Sequence, residues 1–110
     1  KKEIMERIAQ VFTLKEGKRE EYIKNHKTVW PELEQLFRDA GVTRYSIYVW
    51  KDILFSYMEV ENYESMVEKF NGNELAQKWE DEFAELIEYP EVDPSNGWPV
   101  ALQEVWNLEV

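Results

Sequence analysis

A chain of 110 residues, 44% hydrophobic and 15% aromatic, holds enough apolar material for one packed core, and one α+β domain spanning residues 1–110 is the expectation. Its 13 Lys and Arg face 23 Asp and Glu, and a net charge of −10 repels phosphate backbones and anionic lipid, so neither nucleic acid nor membrane is an expected partner. The absence of cysteine excludes disulfides and thiolate chemistry, no apolar run approaches the roughly 20 residues of a bilayer span, and the charged start Lys1-Lys2-Glu3 leads into no hydrophobic leader, which makes the cytoplasm the expected setting.

Residues 6–14 alternate, with Ile8, Gln10, Phe12 and Leu14 on one side and Ala9, Val11 and Thr13 on the other, which predicts a strand. Lys15-Glu16-Gly17-Lys18 supplies a turn. Over residues 18–40, Tyr22, Val29, Leu33, Leu36 and Phe37 recur at three- and four-residue steps amid charge, the pattern of a long amphipathic helix. Pro31 interrupts it: proline costs about 3 kcal/mol in a helix interior but is tolerated in a first turn, so the helix is expected to kink or restart near Trp30. Gly41 then closes it as a left-handed cap.

Residues 43–50 and 53–60 are two β-type runs joined through Lys51-Asp52, a tight hairpin without the favoured Asn-Gly pair, with Tyr45, Ile47 and Val49 on one side. Asn62 can accept a free first-turn N–H at the start of a short helix over residues 63–70, which Asn71-Gly72-Asn73 ends. A second helix over about residues 74–88 would bury Leu75, Trp79, Phe83, Leu86 and Ile87 before Tyr89-Pro90 stops it. Proline, glycine and short polar residues over 91–99 predict an ordered surface loop, docked through Trp98. Residues 101–109 alternate Leu102, Glu104, Trp106 and Leu108 against Gln103, Val105 and Asn107, predicting a last strand.

The order β-α-β-β-α-β, with its second helical region split, is the ferredoxin-like pattern: a four-stranded antiparallel sheet with helices on one face. Tyrosines and tryptophans on both sides of the middle strands leave a second face to hide, and a homodimer is expected to hide it.

For chemistry, the chain offers one histidine. Tyr22 and His26 stand four apart and share a helix face, with Val29 and Leu33 continuing it inward. An imidazole exchanges protons near neutrality, which suits a proton-transfer site; the competing reading is a hydrogen-bonded boundary histidine. No second histidine or cysteine stands at ligand spacing, so a histidine-based metal site is not expected; an oxygen-ligand site among the acids stays open, without EF-hand-like spacing. Phosphate-binding glycine loops, GxSxG and HExxH are absent. Aromatic rings fill cores but also stack on sugars, and Trp79 on the second long helix and Trp98 in its loop are the candidates to do so. Glu104, in a half-apolar run, either faces solvent or orients a polar group such as Tyr45 or a ligand hydroxyl.

The run His26-Lys27-Thr28-Val29-Trp30-Pro31-Glu32-Leu33, preceded by Glu21-Tyr22, resembles the H-x-x-[VI]-W-P-E-[LM] signature of the L-rhamnose mutarotase family. The resemblance continues through Gly41-Val42-Thr43-Arg44-Tyr45-Ser46-Ile47-Tyr48, Leu54-Phe55-Ser56-Tyr57, Gln77-Lys78-Trp79 and Leu102-Gln103-Glu104-Val105-Trp106, in order along nearly the whole chain. It implies a dimeric α/β barrel that interconverts the anomers of L-rhamnose or a close pyranose without metal or organic cofactor. By the same resemblance His26 is the proton donor, Tyr22 and Trp79 stand at family site positions, and Tyr45 and Tyr48 are pocket candidates. One departure stands out: where many members carry two adjacent tryptophans, this chain has Trp79-Glu80.

Mutarotation needs one acid and one base, because the anomeric hydroxyl loses a proton as the ring oxygen gains one. His26 is expected to protonate the ring oxygen, Tyr22 or a nearby carboxylate to handle the anomeric hydroxyl, and Trp79 to position the pyranose face. Two other readings remain: a non-catalytic sugar- or metabolite-binding dimer, and a monooxygenase-like enzyme of the same fold with His26 as an axial haem ligand.

Overall fold

The computed structural model describes residues 4–109; the charged start Lys1-Lys2-Glu3 lies outside them. Strands β1 (Glu6–Leu14), β2 (Val42–Trp50), β3 (Ile53–Val60) and β4 (Ile87–Glu88) form one antiparallel sheet in the order β2-β3-β1-β4. Helices α1 (Arg19–Asn25) and α2 (Pro31–Asp39) join β1 to β2, and α3 (Tyr63–Phe70) and α4 (Glu74–Phe83) join β3 to β4. No helix among the described residues is long and apolar enough to cross a membrane.

Strand alternation divides the sheet into two unlike faces. Cross-strand partners Gln10 and Ser56, and Phe12 and Leu54, are buried on the helix-covered face, with Tyr45, Ile47 and Val49 of β2 in the same rows. The residues between them, Val11 paired with Phe55 and Phe55 with Tyr48, form the other face, where Phe55, Tyr48 and Trp50 are 39%, 63% and 59% exposed.

Two apolar clusters hold the helices to the covered face. One gathers Leu33, Met58, Val60, Met66 and Phe70, the other Phe12, Tyr22, Leu54, Phe83 and Leu86, and Trp79 packs against both. Leu54, Met66 and Val60 are fully enclosed, each contributing about 1.5–3 kcal/mol by leaving water.

Local chemistry sets the helix ends. The expected break at Trp30 is present: Trp30 is extended, as a residue before proline prefers, and Pro31 opens α2 at a position whose N–H no helix needs. Asn62 caps α3 by accepting the Ser65 N–H at 2.8 Å, as expected, and Asn73 caps α4 in the same way through the Ala76 N–H at 3.0 Å. Gly41 takes φ +91° after α2, a left-handed conformation that favours glycine, and a Cβ there would also press on the Glu61 side chain at 3.0 Å.

Two elements differ from expectation. The last strand is not residues 101–109. Ala101 makes an isolated bridge to Gln10 and the Leu102 N–H reaches the Ala9 carbonyl at 2.7 Å, after which the tail leaves the sheet with Val105 and Trp106 87% and 75% exposed. The fourth strand is instead Ile87–Glu88, pairing with Leu14 and Thr13 at the far end of the same β1 edge. Helix α4 accordingly ends at Phe83 rather than near residue 88, because Leu86 and the β-branched Ile87 find burial beside β1 in extended form. The turn between them is fixed by the Leu86 N–H on the Phe83 carbonyl and the Lys15 N–H on the Leu86 carbonyl, both at 2.9 Å.

Candidate functional site

His26 ends α1, where helical geometry lays its ring over that of Tyr22 one turn earlier, with centroids 4.3 Å apart. Phe83 at 4.6 Å and Trp79 at 5.5 Å, both from α4, enclose the imidazole further. Its Nδ1–H donates to the Tyr22 carbonyl at 3.1 Å, which fixes the tautomer and leaves Nε2 as the exchangeable nitrogen. Trp79 is held in turn by the edge of Trp30 at 5.0 Å, so the Trp-Pro turn that starts α2 also buttresses the site.

His26 and Trp79 line a cavity of about 800 Å³ between α2, α4, β2 and the 91–99 loop, a volume suited to a small molecule. His26, Tyr45, Trp79, Glu80, Tyr89 and Trp98 line it, and the same six also line a recess of about 90 Å³ closed by Gln10, Phe12, Tyr22 and Phe83. Polar tips therefore concentrate at one end, between aromatic walls.

The electrostatics follow from burial without cationic partners. Burial lowers the His26 pKa below the usual imidazole value, outweighing the hydrogen bond to the Tyr22 carbonyl. Tyr22, 6% exposed, is pushed well above the usual phenol value by burial, with smaller contributions from Tyr45, Tyr89 and Glu80. Tyr45, which lines the cavity and is 40% exposed, is pushed up to about 12 by the desolvating protein around it and then by Glu80. Neighbouring protein partly desolvates Glu80 and raises it too, although the residue keeps solvent exposure; the Tyr89 hydroxyl, donating to its Oε2 at 3.2 Å, opposes that shift, and Asp81 adds to it. All three tyrosines are thus hydrogen-bond donors at neutral pH.

Of the residues singled out from sequence, the structure gathers His26, Tyr22, Trp79, Tyr45 and Trp98 around this space. Trp98 docks as expected: its Nε1–H donates to Asn71 Oδ1 at 2.8 Å, and its ring meets Tyr63 and Phe70 edge-on. Tyr48 is not brought in. It stands three residues from Tyr45 on one strand, an odd step that sends it to the open face. Glu104 is not brought in either: it is exposed on the tail and forms an ion pair with Arg7 at 2.8 Å. Sequence reasoning missed two cavity residues. Glu80 registered only as a lost ring, although it follows the inward Trp79 directly, and Tyr89 registered only as a helix stop, with no local signal that β4 would return it to α4.

Comparison with known proteins points the same way. The family model for L-rhamnose mutarotase matches residues 7–108. The L-rhamnose mutarotase of Phocaeicola vulgatus is 39% identical over 109 residues, 96% of this chain and 100% of its own length. That of Formosa agariphila is 36% identical over 109 residues with the same coverage, and that of Listeria monocytogenes serotype 4b is 37% identical over 108 residues, 94% of this chain and 99% of its own. The crystal structure of L-rhamnose mutarotase from Formosa agariphila matches with a TM-score of 0.74 at 34% identity, covering 94% of this chain and 99% of that one. A crystal structure of a Shewanella oneidensis protein, at TM-score 0.51 and 22% identity over 77% of this chain and 86% of that one, shares the fold alone. With its signature residues enclosing the cavity and nearly its full length matched, the chain belongs to the L-rhamnose mutarotase family.

Proposed function

We propose that the cavity binds L-rhamnose or a close pyranose and interconverts its α and β anomers. The observation that carries this reading is the seating of His26: Nδ1 committed to a backbone carbonyl, Nε2 left for proton exchange, and the ring lining an aromatic-walled cavity of sugar-admitting size. In the reaction the anomeric O–H gives up its proton, the bond from C1 to the ring oxygen breaks with its electrons moving to that oxygen, and the ring oxygen takes a proton from His26. Rotation of the open-chain aldehyde and reversal of these steps yields the other anomer and restores the protein. Trp79 supplies an apolar ring for the pyranose face, and Tyr22 and Tyr45 donate hydrogen bonds to sugar oxygens. Saturation transfer between the two anomeric H1 signals of L-rhamnose tests this directly. The protein accelerates exchange, and His26→Ala lowers the rate about 10²- to 10⁴-fold; an unchanged rate in the variant removes His26 from the mechanism.

The same reading extends to assembly and setting. The strand order and the two-layer arrangement support a ferredoxin-like fold of the dimeric barrel type. Phe55, Tyr48 and Trp50 on the open sheet face, with Leu102, Val105, Trp106 and Leu108 on the extended tail, give a second copy an apolar surface to cover, which supports a homodimer. A chain without thiols to oxidise is consistent with a cytoplasmic location.

A further inference from the structure

We propose that Glu80 is the second proton-transfer group of this site, taking the proton of the anomeric hydroxyl while His26 serves the ring oxygen, and that Tyr89 positions its carboxylate. The proposal rests on the mutarotase reading above and supplies the base that reading leaves unassigned.

Three observations carry it. First, among the side chains that line both the cavity and its recess, only His26 and Glu80 are of a type that exchanges protons below pH 8; the others with O–H groups are phenols, which ionise near pH 10 even when exposed. Second, on α4 Glu80 directly follows Trp79, whose ring centroid lies 5.5 Å from that of His26, and Glu80 and His26 line both the cavity and its recess. Third, Glu80 is explained by no ion pair. The salt bridges among the described residues are Arg7 with Glu104 and Arg19 with Glu20, and Glu80 instead accepts a single neutral hydrogen bond from Tyr89. Glu80 keeps solvent exposure while lining the cavity, and with no cation among the described residues paired to it the carboxylate stays available to accept a proton.

Each element around Glu80 contributes a group to its field: Asp81 on α4 itself, Tyr89 after β4, Tyr45 on β2, Tyr22 on α1 and His26 at the end of α1. Glu34, Arg38 and Arg44 line the larger cavity only. Burial raises Glu80 and lowers His26, so the two titrations move toward one another. The working form holds one proton between them. Its population rises as Glu80 deprotonates and falls as His26 does, which gives a narrow bell centred between the two. In the forward step Glu80 accepts the O1 proton as His26 releases one to the ring oxygen. On closure each proton returns, so the pair is regenerated without an outside reactant.

The test is anomer exchange of L-rhamnose by saturation transfer across pH, with wild type, Glu80→Gln and Tyr89→Phe. Glu80→Gln is expected to lower kcat about 10²- to 10⁴-fold with KM little changed and to abolish the acid limb of the profile. It keeps a Tm no lower than wild type at neutral pH, because an amide still accepts the Tyr89 hydrogen bond and carries no charge to desolvate. Tyr89→Phe moves the acid limb to higher pH, because it removes the donor that favours the ionised carboxylate, a shift that a merely structural role would not produce. Wild-type exchange with an unchanged kcat in Glu80→Gln, or a change in KM alone with both limbs intact, overturns the assignment of Glu80 and leaves the mutarotase reading standing. A wild type that accelerates no exchange of L-rhamnose overturns both.

Discussion

His26 ionises against the preference of its surroundings, and that has a measurable consequence for stability as well as for chemistry. Burial favours the neutral ring, so the folded chain gives up this proton at a lower pH than the unfolded chain, whose imidazole titrates near 6.5. Between those values the unfolded state binds more protons, and stability falls as pH is lowered through the interval: the penalty is absent above the unfolded value and complete below the folded one. Thermal unfolding of wild type and His26→Asn from pH 7.5 to 5 should therefore show the wild type losing ground to the variant on acidification. A difference in Tm independent of pH would contradict the burial argument. Tyr22 makes a contrasting case, since burial keeps its phenol protonated. Tyr22→Phe keeps the ring against His26 and removes only the hydroxyl proposed to donate to the sugar, so anomer exchange should fall by up to about tenfold without loss of a pH limb. A fall of 10²-fold or more with a lost limb would instead make Tyr22 the base. The pairing of these two residues was legible in the sequence because i and i+4 on one helix must meet. The pairing of Glu80 with Tyr89 was not, because it depends on a strand turning back beside a helix.

At the scale of elements, the site depends on how α4 begins. Asn73 Oδ1 satisfies the Ala76 N–H, and the helix it starts carries Trp79, Glu80 and Phe83. Asn73→Ala leaves that donor unpaired and should cost about 1 kcal/mol, seen as a Tm lower by about 4–8 °C in thermal circular dichroism. An unchanged Tm would mean that tertiary packing alone fixes the helix start. Caps and breaks of this kind are written locally: Pro31 split the first helical stretch and Asn62 opened α3 where their chemistry requires it. Apolar alternation is less decisive. The pattern over Leu102 to Leu108 is as regular as that of β1, yet beyond the Ala101 bridge and the Leu102 N–H on Ala9 the described residues of the tail pair with no strand, so alternation without ladder partners does not make one. Conversely, Leu86 and Ile87 continue the buried stripe of α4 in sequence and still leave the helix, because the end of β1, through Lys15 and Leu14, buries them as well.

The tail and the open sheet face pose one problem for the whole molecule, since both expose large apolar side chains that a single copy does not cover. The tail is not adrift: the Leu102 N–H on Ala9 and the Arg7 to Glu104 ion pair fix its root at the β1 edge and direct the apolar residues beyond it away from the chain's own core. The proposed homodimer would bury this surface between two sheets, with Phe55 central because it pairs with Val11 on one side and Tyr48 on the other. A charge placed there would be desolvated against its counterpart in a chain that already carries −10, and both effects oppose association. Light scattering should therefore give twice the 13.3 kDa chain mass for wild type at micromolar concentration and a single chain's mass for Phe55→Glu. The substituted position faces away from the His26 cavity, so a monomeric variant that still folds would separate assembly from the architecture of the site. A wild type of single-chain mass would refute the dimer and leave the tail's exposed tryptophan to be covered by some other surface.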